Sequence, residues 1–152
     1  MRSNDAWFGL VHDVFAFTML QEMVARDLEV GIGTYTHFVA SLHLYEDTLE
    51  KARNFVNEGL QSTISPMDPM PDGSPWQSIK ELLRAEQQAR AGIPIADAQL
   101  PEDPYWADLA RIFFAHHSKQ AGRSDEAERI NSSIRLQPIS ELLMRKSTRG
   151  RN

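Results

Sequence analysis

The 152-residue sequence contains no cysteine, which removes disulfides, thiolate metal sites and a cysteine nucleophile from this chain. The same absence suits a reducing compartment. No apolar run approaches the roughly 20 residues that a membrane-spanning helix needs. The opening Met1-Arg2-Ser3-Asn4-Asp5 has neither the basic n-region nor the apolar h-region of a secretion signal. A cytoplasmic protein with no membrane partner is expected. Basic charge is also in deficit, with 16 Lys and Arg against 21 Asp and Glu and a net charge of −5. That leaves no concentrated cationic surface to release counterions from a polyanion, so nucleic acid is not an expected partner. The length excludes two large domains. What is present, 41% apolar residues and three Trp, can bury one ordinary core, alone or with a short appendage.

Over residues 6–26 the apolar positions Trp7, Leu10, Val11, Val14, Phe15, Phe17, Leu20, Met23 and Val24 recur densely enough to predict a helix buried on most of its circumference. Asp27 and Gly31 mark its end, and Gly31-Ile32-Gly33 supplies the turn. Residues 34–45 are rich in Thr, Tyr, Phe, Val and Leu, predicting a strand with His37, Val39, Ser41, His43 and Tyr45 on one face and Leu42 and Leu44 on the other. No partner strand is identifiable in the chain, so a second copy or another chain is expected to cover it. A surface helix follows over 46–58, with Leu49, Ala52, Phe55 and Val56 as its apolar stripe.

Four prolines and a glycine in QSTISPMDPMPDGSP then break regular structure. The expected organisation is a unit over 1–58, a Pro-rich linker over 59–75, a helical region over 76–144 and a flexible basic tail over 145–152. Helices are predicted at about 76–91 behind Pro75, at about 104–120 and, capped by Ser124 or Asp125, up to about 135. A last one begins at Pro138 and runs through Met144. The pair around Gly122 has the look of a repeat-protein hairpin, but one pair is no array.

Two groups of residues carry chemistry. Arg2, Ser3 and Asp5 precede a helix, where a guanidinium, a hydroxyl and free backbone amides favour a bound phosphate; Asn4 and Asp5 also suit plain helix caps. His43 and Tyr45 stand two apart on one strand face, so both polar tips can converge on a single hydroxyl or ring, although such a pair also serves as half-buried strand packing. His116 and His117 are adjacent on a helix and point about 100° apart, which gives no two-ligand metal site. Arg145, Lys146, Arg149 and Arg151 read as a solvated tail.

Taken together, Arg2-Ser3-Asn4-Asp5, Gly9, Asp13 and His43-Leu44-Tyr45 follow the order and spacing of the thymidylate synthase family, and residues 2–58 resemble that family's substrate-binding segment. The resemblance implies an α+β fold, a partial unit of buried helix, strand and helix, followed by the mainly α-helical C-terminal region. It implies that Arg2 and Ser3 contact a nucleotide phosphate and that Asp5 touches both pyrimidine and folate. Gly9 would leave room beside the folate, 5,10-methylenetetrahydrofolate, and His43 and Tyr45 would hold the sugar hydroxyl. Asn4 and Leu44 lie within the same substrate-binding motifs. Asp13 stands where thymidylate synthases usually carry Asn. A carboxyl group there accepts from an exocyclic amine and favours cytosine over uracil, as in the family's cytidylate hydroxymethylases. Val11 replaces the family's usual Pro, and Ala40-Ser41 a glycine-containing pair.

The family's nucleophilic cysteine lies upstream of the Arg-Ser-x-Asp motif, and no residue of this chain can take its role, so no catalytic residue is assigned. The resemblance therefore implies the C-terminal part of a pyrimidine-nucleotide C5 methyl- or hydroxymethyltransferase of nucleotide biosynthesis, with Met1 internal or a late start. Such a part acts on CMP or dCMP as a homodimer or with a complementing chain and is inactive alone. The alternative is a non-catalytic nucleotide-binding or protein-interaction module with a helical C-terminal domain.

Overall fold

A computed structural model of the chain describes residues 1–59, 66–137 and 139. Contacts divide it into two units, Met1–Thr63 and Ile64–Asn152. The first unit runs β1 (Asn4–Asp5), α1 (Gly9–Asp27), β2 (Leu42–His43), a 3-10 turn (Glu46–Thr48) and α2 (Leu49–Asn57). β1 and β2 are parallel, with Asn4 opposite Leu42 and Asp5 opposite His43. Backbone bonds extend the pairing on both sides: Ala40 N–H donates to the Met1 carbonyl (3.1 Å), Asn4 to Ser41 (2.9 Å) and Ala6 to His43 (2.8 Å).

Two expectations are corrected here. The strand predicted over 34–45 contracts to Leu42–His43, and it has a partner in the chain after all. The partner went unseen because Arg2-Ser3-Asn4-Asp5 is uniformly polar and carries no period-2 signal.

Helix α1 begins at Gly9 rather than at residue 6 because the Asp5 carboxylate first caps a turn, accepting the N–H groups of Trp7 (3.1 Å) and Phe8 (2.9 Å). It ends at Asp27 as expected. Its left-handed cap, however, is Glu29 (φ 54°), followed by a bond from Val30 N–H to the Ala25 carbonyl (2.9 Å), and not the glycines at 31 and 33.

Among the described residues of its own unit, α1 does not find the burial predicted for it. Val11 is 63% exposed, Phe15 55%, Phe17 46% and Leu20 49%, and Ala25 is its one buried residue. A helix that is apolar all round needs neighbours on every side, and this unit offers it a two-residue sheet and α2. On α2 the expected stripe is likewise open, since Phe55 and Val56 are exposed. The Phe55 ring does meet Trp7 edge-on, with centroids 6.2 Å apart.

The second unit has its own core. Helices α3 (Trp76–Arg90), α4 (Pro104–Gln120) and α5 (Ser124–Ser133) pack in sequence order. Ala85 and Ala89 of α3, Ala110, Phe114 and Ala115 of α4 and Ile130 of α5 form one buried cluster. The alanines let helix backbones approach closely around the single large Phe114 ring. Asp103 caps α4 through the N–H groups of Tyr105 (2.9 Å) and Trp106 (3.4 Å), with Pro104 in the first turn, where its missing N–H costs nothing. At the other end Gly122 (φ 77°) takes the left-handed position, and Arg123 N–H reaches back to the Ser118 carbonyl (2.9 Å).

Neither Ser124 nor Asp125 caps α5. The short connection puts Arg123 at that position with no side-chain cap, and its guanidinium pairs with Glu126 in the first turn (2.6 Å). The helix also stops at Ser133, before residue 135, because Arg135 and Leu136 give their N–H groups to Asp108 (2.8 and 2.9 Å) instead of to carbonyls one turn back. Gln137 continues the seam with Asp68, donating to its carboxylate (2.8 Å) and accepting from its N–H (3.1 Å). The helix predicted over 138–144, apart from residue 139, the tail over 145–152 and part of the linker lie outside the described residues.

The described residues thus form an α+β chain, a small parallel sheet with two helices followed by a helical C-terminal region. Among them, no helix is long and apolar enough to cross a membrane.

Candidate functional site

Parallel pairing of β1 with β2 brings the two candidate motifs together. Ser3 and His43, forty positions apart in the chain, meet with Oγ and Nδ1 3.2 Å apart. The His43 ring stands edge-on to Tyr45 (4.8 Å between centroids, 85° between planes). Tyr45 and Arg2 are exposed, as is Leu44, and His43 is half-buried. A hydroxyl, an imidazole and a phenol ring therefore stand together along one edge, with the exposed Arg2 preceding Ser3 in the chain, a set of groups suited to a hydroxylated, anionic ligand.

Asp5 serves the backbone. Its bonds from Phe8 N–H and, second, Trp7 N–H hold the carboxyl below the ordinary aspartate value, with smaller help from Gly9 N–H and the nearby His43. Two of the amides expected to face a phosphate are thereby occupied, which leaves the phosphate argument to Arg2 and Ser3. Neither Asn4 nor Asp5 is the helix cap expected: Asp5 caps the turn ahead of α1, and the cap position of the helix is Phe8, with no side-chain cap bond.

Asn4 turns inward, 5% exposed, and is among the few buried polar residues described. Its carboxamide nitrogen donates to Asp13 Oδ2 (2.9 Å) and lies 3.2 Å from His37 Nε2. His37 Nδ1 in turn lies 2.7 Å from the Tyr35 hydroxyl. Gly9 faces this carboxamide so closely that a Cβ there would sit 2.1 Å from Asn4 Oδ1. Sequence reasoning placed His37 on the strand face without a role and left Tyr35 out. Their participation depends on the loop over 34–41 folding back toward α1, for which no local pattern gives a signal.

The thymidylate synthase sequence model matches residues 1–67. The chain is 44% identical over 46 residues to the provisionally named thymidylate synthase of Methanocaldococcus jannaschii, an alignment covering 30% of this chain and 21% of that one. It is 33% identical over 52 residues to the thymidylate synthase of Symbiobacterium thermophilum, covering 34% and 18%. With the Lactococcus lactis subsp. cremoris enzyme it shares 31% identity over 84 residues, covering 52% and 29%. The similarity to the thymidylate synthase family is confined to residues 1–67 of the chain. The chain spans between about a fifth and three tenths of the length of these relatives. The matched segment holds the whole candidate site, from Arg2 to Tyr45.

Outside it, His116 is exposed and His117 half-buried on α4, their rings 5.4 Å apart and nearly perpendicular. Among the described residues no three His, Asp or Glu side chains come together as a metal site.

Proposed function

We propose that this chain supplies the nucleotide-gripping part of a pyrimidine C5 one-carbon transferase. Arg2 and Ser3 hold the phosphate, and His43 and Tyr45 hold the sugar hydroxyl. Asp13 meets the base, where a carboxylate accepts from the exocyclic amine of cytosine and repels the O4 carbonyl of uracil. The substrate is therefore a cytosine nucleoside monophosphate, CMP or dCMP, and the product is a C5-methyl or C5-hydroxymethyl nucleotide. The observation that carries this proposal is the contact between Ser3 and His43 across the paired strands, which joins the phosphate end of the site to the sugar end.

When bound, methylenetetrahydrofolate supplies the one-carbon unit. Of the two positions that resemblance assigns to it, Asp5 is partly exposed, and with the Trp7, Phe8 and Gly9 N–H groups on its carboxylate one lone pair is left for a ring N–H. The space in front of Gly9 is filled by Asn4, so the folate contact in this chain rests on Asp5. Activating C5 requires a thiolate at C6 of the pyrimidine, and the chain has no cysteine. The nucleophile therefore comes from outside these 152 residues, from a longer form of the protein or a complementing chain, and a homodimer is the expected assembly. The open surface of α1 supports the same conclusion, because it requires a covering partner.

The test is calorimetric titration of the purified chain with CMP, dCMP, UMP and dUMP, repeated on an Asp13→Asn variant. Cytidylate binding that shifts toward uridylate in the variant is expected. Absence of binding by either protein would overturn the proposal. It would favour an interaction module built around the helical unit, whose independent core is the observation behind that second reading.

A further inference from the structure

We infer that Asn4 is the positioning residue for Asp13, and that Gly9 lacks a side chain in this protein in order to seat the Asn4 carboxamide. The inference rests on Asp13 being the base-reading residue proposed above, and it adds what fixes that reader. Asp13 lies on a helix whose surroundings in this unit are sparse, so a freely rotating carboxylate would present either oxygen to a ligand. Asn4 removes that freedom. Its NH₂ group is anchored on β1, where the Asn4 backbone N–H donates to Ser41 (2.9 Å), and it donates one proton to Asp13 Oδ2 at 2.9 Å.

The second proton has two acceptors, His37 Nε2 at 3.2 Å and the weaker thioether of Met1, Sδ at 3.7 Å. Accepting it at Nε2 requires a neutral imidazole protonated at Nδ1, which then donates to the Tyr35 oxygen 2.7 Å away. The carboxamide is thereby oriented, with the nitrogen toward Asp13 and His37 and Oδ1 toward Gly9. A carboxylate with Oδ2 occupied has Oδ1 left as an acceptor, which complements a cytosine amine and opposes a uracil carbonyl.

Gly9 belongs to the same device. A methyl group at residue 9 would overlap Asn4 Oδ1, 2.1 Å from the Cβ position. Asn4 could yield only by breaking its bonds to Asp13 and His37, because it is buried. Gly9 therefore acts on Asp13 through Asn4.

The experiment is a double-mutant cycle on the full chain, with Asn4→Ala, Gly9→Ala and the double variant each titrated with CMP and UMP. Each single variant is expected to reduce the cytidylate-to-uridylate preference by roughly tenfold or more, the order set by one hydrogen bond to a charged group. The double variant should lose no more than Asn4→Ala does, since the obstacle to a methyl group at residue 9 is gone. His37→Gln, which keeps an acceptor and a donor, should hold the preference better than His37→Ala. Independent additive losses from Gly9→Ala and Asn4→Ala, or an unchanged preference in Asn4→Ala, would overturn the inference.

A ligand-free readout separates this outcome from failure of the functional proposal. In the side-chain amide NMR spectrum, Asp13→Ala and Gly9→Ala should each move the Asn4 NH₂ resonances. Wild-type resonances in Gly9→Ala would refute the positioning role even if the chain bound no nucleotide at all.

Discussion

Replacing Asp108 by Ala tests how the helical unit closes. Asp108 is a buried carboxylate on α4 whose Oδ2 accepts both Arg135 N–H (2.8 Å) and Leu136 N–H (2.9 Å), while Oδ1 pairs with Arg111 (2.5 Å). The Arg111 side chain is partly exposed, so water replaces that partner at little cost. The Leu136 N–H has no such recourse, because its residue is buried, whereas Arg135 is exposed and water can take over its bond. Leaving the Leu136 N–H unpaired costs about 1–3 kcal/mol. The chain could instead detach, exposing the Ile134 and Leu136 side chains, at about 1.5–3 kcal/mol each. The cheaper route sets the loss at about 1–3 kcal/mol, a sizeable share of a typical domain's stability. Asp108→Asn retains one oxygen able to accept both bonds and should lose about half as much. Urea unfolding followed by circular dichroism measures the loss, and amide exchange at Arg135 and Leu136 reports whether the seam opens first. An Asp108→Ala protein within about 0.5 kcal/mol of wild type, with both amides still protected, would refute the reasoning.

Glu29→Gly should stabilise the first unit by up to about 1 kcal/mol, because a non-glycine residue at φ 54° carries a left-handed penalty that glycine avoids; a lowered melting temperature would contradict it. For Asp5 the sign follows from a carboxyl held below its ordinary value of 3.8 by the Phe8 and Trp7 amides. Its stabilisation is present above the unfolded carboxyl range and is lost as pH falls through the lower folded value. The turn before α1 should therefore loosen only in acid, read from amide exchange at Trp7 and Phe8, and Asp5→Asn should remove that dependence. Identical acid profiles for the two proteins would count against the capping role.

The helical half was legible because its signals are local. Pro104 opening α4, the stop at Gly122 and the start of α3 behind Pro75 are each written within a few residues. The α+β class and the family segment were also readable, the latter from motifs whose spacing matters more than their neighbours. What escaped is non-local. β1 has no strand composition and exists because Met1–Ala6 backbone groups find residues 40–43. Glu29 outcompeted two nearby glycines for the left-handed position because the helix register, and not the supply of glycine, decides where that position falls. The periodicity of α1 correctly signals a helix to be covered on all sides, yet periodicity says nothing about whether the covering residues belong to the same chain.

That uncovered helix changes what stability means for the first unit. Each exposed Phe, Leu and Val on α1 contributes to folding only when another surface removes it from water. With the covering partner proposed above, the unit's melting point would be set by mass action, rising with the logarithm of the partner's concentration over its dissociation constant. The helical unit, with a core of its own, should melt at one temperature whatever the dilution. Diluting the protein would thus pull the two transitions apart, and the concentration at which they separate would itself measure the affinity of the missing surface.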